Sequence, residues 1–386
     1  MKPEKENLVS FDKAGKTIEV AMITNTDFYS DTQGGTGNYA KALSLALEKK
    51  GVKISRVGIM ISPRERERNE IIVAERRISN YSYPFRLFSV AFSLRKKRDL
   101  ILHFHRPDQM IPFLIITKKK RLFVCSIHGP TRRAVFKNKG IGVGSLYAFL
   151  EIIGLIMADT LLFVDKKSLK TYQDSFPWIS EKAAILPPGV LDTFFERDMT
   201  KKEALDRFNF EENDRIICFI GRLEHEKNVN LIIQAFSKLT QEHNMLKLAI
   251  VGEGKQRKVL EHLARKLNLN HRIIFLGGLS HEKIRVLLFA SEMIMLASKW
   301  EGSPLVVREA LATGTRVVSF DVGDVSELIR DENMGYIAKE VSVEALSEGM
   351  EKIIKKEASE KPFLSAEEFS WDRIAARVID IYRGMR

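Results

Sequence analysis

Two glutamates eight positions apart, Glu301 and Glu309, bracket the stretch of this chain with the strongest chemical implication. Glu301 precedes Gly302-Ser303-Pro304-Leu305, a small-residue turn that ends an apolar run, and 306–312 then reads as a buried helix starting at Val306. Strand, turn and helix together make an anion site. The first backbone N–H groups of the helix have no internal acceptor, and with the helix dipole they favour a phosphate. Glu309 lies about two turns beyond Glu301 at 3.6 residues per turn, so both carboxylates can face one ligand. From spacing alone, a loop charge and a helix-surface charge are an equally open reading. A second constellation, Gly221-Arg222-Leu223-Glu224-His225-Glu226-Lys227, joins an apolar run to a helix starting at Asn228. Arg222 and Lys227 there aim two cations and a helix N-terminus at one place; solvated charge after a strand is the bland alternative. Finally His128 ends the apolar run 122–127. A lone histidine is usually structural, but at the carboxyl end of a central strand it faces the crevice where open α/β sheets bind ligands. Arg132, Arg133, Lys137 and Lys139 follow, a basic segment suited to an anionic acceptor.

Such residues need strands to set them at one edge. The run 18–24 predicts a first strand, followed by a loop ending in Gly34-Gly35 and a helix over about 37–50 with apolar Ala40, Leu43 and Leu47. Glycines there let a ligand approach the backbone, although a lone Gly-Gly is more often a turn. A second strand is expected over 53–60 and a charge-mixed loop over 63–69. The strand 99–105 ends in His103 and His105, which period two sends to one face; a metal pair would need a third ligand nearby, and none is at metal spacing. Pro187-Pro188-Gly189 restricts the chain, and a hinge is expected close to Val190. The cycle then restarts, with strands over 215–220, 246–252, 273–276, 293–297 and 316–320, the third ending in Gly277-Gly278-Leu279. A last helix from about Ser370 to Tyr382 has apolar Ile374, Val378 and Ile381 on one face.

With 386 residues and 45% apolar content, the chain is expected to form two α/β domains of about 150 to 200 residues each. Boundaries are expected at 1–16 for a polar tail, 17–190, 191–368, and 369–386 for the terminal helix. Cys125 and Cys218 sit in apolar runs and read as buried thiols, which favours a reducing, cytoplasmic compartment. Residues 1–16 are polar, unlike a signal peptide. The stretch 141–164 comes nearest to a membrane span, but Glu151 and Asp159 would each cost about 2.5 to 3.5 kcal/mol near a helix centre in lipid, so a buried core helix and strand are expected. The aromatic run 81–98, with Phe85, Phe88, Phe92 and a basic end, is open to two readings, a core helix or an interfacial membrane helix.

Charge divides unevenly. Residues 1–190 hold 32 Lys and Arg against 18 acids, whereas 191–386 hold 30 against 32. The basic half suggests a phosphorylated or lipid-linked acceptor, an anionic membrane surface on its inner face, or nucleic acid. Nucleic acid is the disfavoured partner, because it leaves the motifs of the second half unexplained.

The run E-G-S-P-L-V-V-R-E-A-L-A-T-G-T-R-V-V closely resembles the signature of the family 4 (group 1) retaining glycosyltransferases of the GT-B fold. The resemblance extends over about 18–382 and takes in Gly34-Gly35, His128-Gly129 and the Arg222 to Lys227 segment, where the family usually has Gly in place of Asn228. It implies an α/β fold of two doubly wound Rossmann-like domains facing a deep cleft, with the terminal helix crossing back to the first. It also implies transfer from a nucleotide sugar, UDP- or GDP-linked by preference, to a carbohydrate, lipid-linked or phosphorylated acceptor, with retention of anomeric configuration. No other cofactor is implied, and the lack of an Asp-x-Asp motif speaks against a required metal. The implied donor site comprises Gly34, Gly35, Arg222, Lys227, Gly277, Gly278, Leu279, Glu301, Gly302, Ser303, Pro304, Leu305, Val306 and Glu309. Arg222 and Lys227 would clamp the diphosphate, Glu309 would accept from the ribose hydroxyls, and Glu301 would hold the sugar. His128 would contact the donor sugar near the reacting carbon, and Arg132 and Arg133 would meet the acceptor. A sugar-nucleotide epimerase or another GT-B enzyme is the nearest alternative; a nucleic-acid or membrane-surface binder comes after it.

Overall fold

The computed structural model describes residues 10–12, 15–30, 35–61, 64–97, 99–117, 121–129, 131–356 and 362–385. The elements run β1 (Glu19–Ile23), α1 (Gly35–Lys49), β2 (Lys53–Ile59), β3 (Glu70–Ala74), α2 (Tyr83–Leu94), β4 (Leu100–Phe104), α3 (Ile111–Thr117), β5 (Phe123–Ile127), α4 (Thr131–Met157), β6 (Thr160–Phe163), α5 (Lys166–Ser175) and β7 (Ala183–Ile185). They continue with α6 (Lys201–Asp206), β8 (Arg215–Ile220), α7 (Val229–Leu239), β9 (Leu246–Val251), α8 (Arg257–Lys266), β10 (Ile273–Gly277), α9 (His281–Ala290) and β11 (Ser291–Leu296). The chain closes with α10 (Leu305–Thr313), β12 (Arg316–Phe320), α11 (Val325–Leu328), β13 (Gly335–Ala338), α12 (Val343–Ile354), α13 (Ala366–Phe369) and α14 (Trp371–Gly384).

These elements form two compact units, Met1–Gly189 with Trp371–Arg386, and Val190–Ser370. The first holds a sheet ordered β3-β2-β1-β4-β5-β6-β7 and the second a sheet ordered β10-β9-β8-β11-β12-β13. Their strand pairs are all parallel. Parallel sheets are covered on both faces, which is why β4, β5 and β12 are buried at every position. Each sheet reverses its strand order once, between β1 and β4 and between β8 and β11, and crossover helices diverge at those points to leave a crevice.

Period-two alternation sorts the first sheet. Ala21, Ile23, Leu102, Phe104, Cys125 and Ile127 face a core with Leu87 and Val90 of α2, Phe113 of α3 and Leu155 of α4. The opposite side chains of β1, β4 and β5, among them Met22, His103 and Ser126, point to the other face. There α14 packs on α1. On α14, Ile374 and Val378 are buried as expected, but Ile381 is only half-buried; Ala375, Ile379 and Tyr382 complete the inner face.

The structure changes one expectation, decides one open reading and adds three strands. The chain over 141–157 is not a buried core helix: it belongs to the longer α4, broken at Gly140 (φ 77°, ψ 179°), and exposes Ile141 by 80% and Phe149 by 62%. Helix α2 buries Leu87, Val90, Ala91 and Leu94 and turns Phe85, Phe88 and Phe92 outward, so its aromatic stripe is not its core stripe. The edge strands β3, β7 and β13 escape sequence reading because they are short and largely half-buried. Cys125 and Cys218 are buried free thiols, as expected.

Candidate active site

The second unit brings its constellations together at the reversal of its sheet. Strands β8 and β11 are neighbours, so the loops leaving their carboxyl ends, 221–228 and 297–304, rise side by side. Lys227 Nζ forms an ion pair with Glu301 Oε1, and Ser298 Oγ donates to the same oxygen at 2.7 Å. Both side chains of the pair are 16% exposed, which leaves each one edge toward solvent. Asn228 adopts the left-handed conformation (φ 49°, ψ 37°), which glycine enters freely and asparagine tolerates best among the others. Its Nδ2 donates to the Ala297 carbonyl oxygen at 3.0 Å, binding one loop to the other. Where the resemblance implies glycine, Asn228 thus keeps the turn and adds a hydrogen bond. Arg222 stands further out, 62% exposed, with Nη2 3.3 Å from Glu226 Oε1. It is therefore not packed beside Lys227.

Beyond Glu301 the turn is held from below. Ser303 Oγ donates to Asp324 Oδ2 at 2.7 Å and accepts from Arg308 Nε at 3.1 Å, while Arg308 and Asp324 form a buried ion pair. Gly323 (φ +55°) lies so close that a Cβ there would stand 1.8 Å from the Gly302 carbonyl oxygen. Under the first loop Gly252 (φ +130°) does the same: its Cβ would stand 1.9 Å from the Gly221 oxygen. Arg308, Asp324, Gly323 and Gly252 were not singled out from the sequence. The signal for Asp324 and Gly323 was present, as a turn after the predicted strand 316–320, but only folding reveals what they touch.

Pro304 caps α10, Leu305 and Val306 are half-buried in its first turn, and Val307 N–H already donates to the Pro304 oxygen at 3.1 Å. The earlier N–H groups are the ones a helix leaves for a ligand. Glu309 is only 7% exposed, with His281 Nδ1 3.5 Å from its Oε1. Gly277 ends β10 with φ +68°, Gly278 is exposed and Leu279 half-buried.

In the first unit Gly35 opens α1, and among the described residues no atom beyond its chain neighbours and its own helix backbone lies within 4 Å of its would-be Cβ. Gly34 lies outside the described residues, as does the side chain of Arg133. Arg132 donates through Nε to Glu151 at 2.7 Å, and Tyr172 donates to the other Glu151 oxygen at 2.6 Å. Its guanidinium neutralises a fully buried carboxylate, a structural task.

His128 completes a histidine array that sequence reading saw only in part. His103 and His105 stack with ring centroids 5.2 Å apart, and His105 stacks on His128 at the same separation. Tyr39 of α1 meets the His128 ring edge-on, centroids 4.8 Å apart. His103 Nδ1 lies 2.6 Å from the Tyr382 hydroxyl and its Nε2 lies 2.8 Å from Ser126 Oγ. Burial lowers the pKa of His103 to about 3 and that of His128 to about 4, and pushes His105 well below its ordinary value, so all three rings are neutral.

Neutrality lets the protons be placed. His105 Nε2 lies 3.0 Å from Met22 Sδ, an acceptor with no proton to give, so Nε2–H donates to the sulfur. A neutral imidazole carries one N–H, so His105 Nδ1 is an acceptor. At 2.9 Å from it, His128 Nε2–H must be the donor. The remaining nitrogen of His128, Nδ1, has no protein partner among the described residues and accepts. A ligand meeting it must therefore donate, as a sugar hydroxyl does and an ionised phosphate oxygen does not.

Residues 200–367 match the family model described as glycosyl transferases group 1. An uncharacterized glycosyltransferase of Methanocaldococcus jannaschii is 22% identical over 391 positions, covering 95% of this chain and 98% of that protein. Sucrose-phosphate synthase from Thermosynechococcus elongatus superposes with a TM-score of 0.80 at 18% identity, over 95% of this chain and 99% of its own. Anabaena HepE, solved with UDP and glucose, does so with 0.71 at 15% identity, over 94% and 98%. Residues 200–367 thus carry the match to the glycosyl transferases group 1 family, and the two parallel Rossmann-like sheets have the GT-B fold of the solved neighbours.

Proposed function

We propose that the chain moves a sugar from a UDP- or GDP-linked donor to a carbohydrate, lipid-linked or phosphorylated acceptor, with retention of configuration. The observation that carries this reading is the convergence of Lys227, Glu301 and the α10 N-terminus at the strand reversal of the second sheet. A leaving diphosphate gains negative charge as its bond to the sugar breaks. A cation and free N–H groups held in place stabilise it without rearranging; losing one such donor costs about 10² to 10³ in rate in enzymes where this has been tested. In this reading Lys227 and the N–H groups of Leu305 and Val306 meet the diphosphate, and Arg222 swings in from its exposed position. The Glu301 carboxylate, held by Lys227 and Ser298, and the Gly302-Ser303 backbone take sugar hydroxyls. Glu309 takes the ribose diol, Gly277 to Leu279 border the base, and Gly34-Gly35 border the phosphates. His128 Nδ1 accepts from a hydroxyl of the transferred sugar. That HepE was solved with UDP and glucose supports the donor class. The basic start of α4 is the proposed acceptor contact, with Arg133 in preference to Arg132, which is spent on Glu151.

Thermal unfolding against UDP, GDP and their sugar conjugates tests the donor reading. A ligand at about 100 times its dissociation constant stabilises by roughly 2.7 kcal/mol, a rise of several degrees. Glu309→Ala is expected to abolish the rise for the preferred nucleotide. If no nucleotide shifts the wild type, or the variant responds equally, the assignment of this site fails. The anomeric configuration of the product, read by NMR, decides retention.

A further inference from the structure

Helices α2, α3 and α4 line the first unit, α2 packing on α3 and α3 on α4, with inner sides on one core. Their outer sides are apolar to an unusual degree. On α2, Phe85 is 73% exposed and Phe92 55%, with Phe88 between them; Ile115 of α3 is 60% exposed. On α4, Leu146, Phe149 and Ile156 recur at helical spacing and are all more than half exposed. Scattered exposed apolar residues need no explanation, but adjoining ones on packed neighbours mark an interaction surface.

Charge around this surface selects the partner. The only carboxylate on the three helices is Glu151, which is fully buried and paired inward with Arg132. Arg95, Lys96 and Lys97 follow α2 and are exposed, Arg86 lies on it, and Lys137 and Lys139 precede the apolar part of α4. The Arg95 guanidinium lies over the Phe92 ring, 3.3 Å from its centroid, so its stem covers apolar surface while its charge stays at the edge. An apolar field with a cationic rim is complementary to a bilayer of anionic lipids. It is poorly suited to a second copy, because a two-fold contact sets the same rim against itself.

We infer that the outer faces of α2, α3 and α4 form a docking surface for an anionic lipid membrane. The segment Lys139–Met157 is long and apolar enough to cross a bilayer, with 28% of its apolar window buried. It lies on the surface instead: Glu151 is tied to Arg132 and Tyr172, and a Cβ at Gly154 would stand 2.4 Å from the Pro107 oxygen, so its inner side is seated against the unit. The inference stands apart from the donor reading, since its readout needs no activity.

The test is co-sedimentation of the full chain with vesicles of phosphatidylcholine alone or mixed with phosphatidylglycerol. Wild type is expected to pellet with the anionic vesicles and less so as salt rises. Phe85→Ser with Phe92→Ser, and separately Phe149→Ser, are expected to weaken partitioning on the order of tenfold. Lys96→Glu with Lys97→Glu is expected to remove the preference for phosphatidylglycerol. Val259→Ser, at a 58% exposed position on α8, is expected to bind as wild type does. These sites are exposed, so unfolding curves should stay unchanged, and a variant that melts early is replaced by the other of the two aromatic sets. No pelleting with either vesicle, equal pelleting of wild type and both aromatic variants, or indifference to phosphatidylglycerol overturns the inference. So does a dimer in sedimentation velocity that the aromatic substitutions dissolve without any vesicle binding, which would assign the face to a second copy.

Discussion

At the scale of single residues, a methionine fixes which nitrogen of a histidine carries the proton. Met22 is buried on β1, and its sulfur is the acceptor that holds the His105 proton on Nε2. Met22→Leu keeps volume, and such exchanges usually cost less than about 1.5 kcal/mol. It removes the acceptor, however, and a buried N–H without a partner is costlier than a bare lone pair. The His105 proton should then move to Nδ1 and donate to His128, whose own proton moves to Nδ1 and faces the ligand. The expected outcome is a nearly unchanged midpoint of unfolding, a reversed His128 tautomer in ¹⁵N NMR, and a loss of donor turnover of about tenfold. A His128 tautomer that stays as in wild type would refute the relay.

At the scale of elements, two glycines whose contacts only folding reveals hold the loops of the candidate site. Gly323 and Gly252 stand beneath the loops after β11 and β8 in conformations that side chains rarely adopt, each with a carbonyl oxygen within 2 Å of the missing Cβ. Backbone must move to admit even a methyl group. Gly323→Ala is expected to destabilise the chain by about 1 to 3 kcal/mol and to weaken nucleotide binding at least about tenfold, since Gly302 must shift. Gly142→Ala is the counterpart on α4, where a Cβ meets nothing within 4 Å and φ is not in the left-handed region. It should be neutral or stabilising by about 0.4 to 1 kcal/mol through loss of unfolded-state freedom. Urea unfolding and nucleotide titration of both variants check the pair.

For the molecule as a whole, the histidine array makes stability depend on pH. His103 is fully buried with a pKa near 3, and His128 is held near 4, against an ordinary 6.5. Above that ordinary value the rings are neutral folded or unfolded, and pH has no effect through them. Between about pH 6.5 and 4 the unfolded chain binds protons that the folded chain refuses, so stability falls as pH falls. For His103 the steepest slope is about 1.4 kcal/mol per pH unit. Urea midpoints are expected to drop between pH 7.5 and pH 5, and His103→Asn should flatten that decline while lowering the starting point. A wild-type midpoint that holds steady across this range would mean the rings are protonated in the folded state.

The sequence by itself determined the two-unit α/β character, the shared face of His103 and His105, and the strand-turn-helix around Gly302 to Val306. These follow from periodicity and local turn chemistry, which neighbours along the chain carry. Only the tertiary structure decided that Lys227 pairs with Glu301, that Asn228 ties two loops together, that Arg132 is spent on Glu151, and that His105 links Met22 to His128. Partners separated by 69 or more positions in the chain, such as Asn228 and Ala297, meet because strand order places their loops side by side. The outward face of the α2 phenylalanines was undecided for the same reason. A helix with apolar residues on more than one side can seat either side inward, and the contacts of α2 with α3 and the sheet core chose Leu87 and Val90.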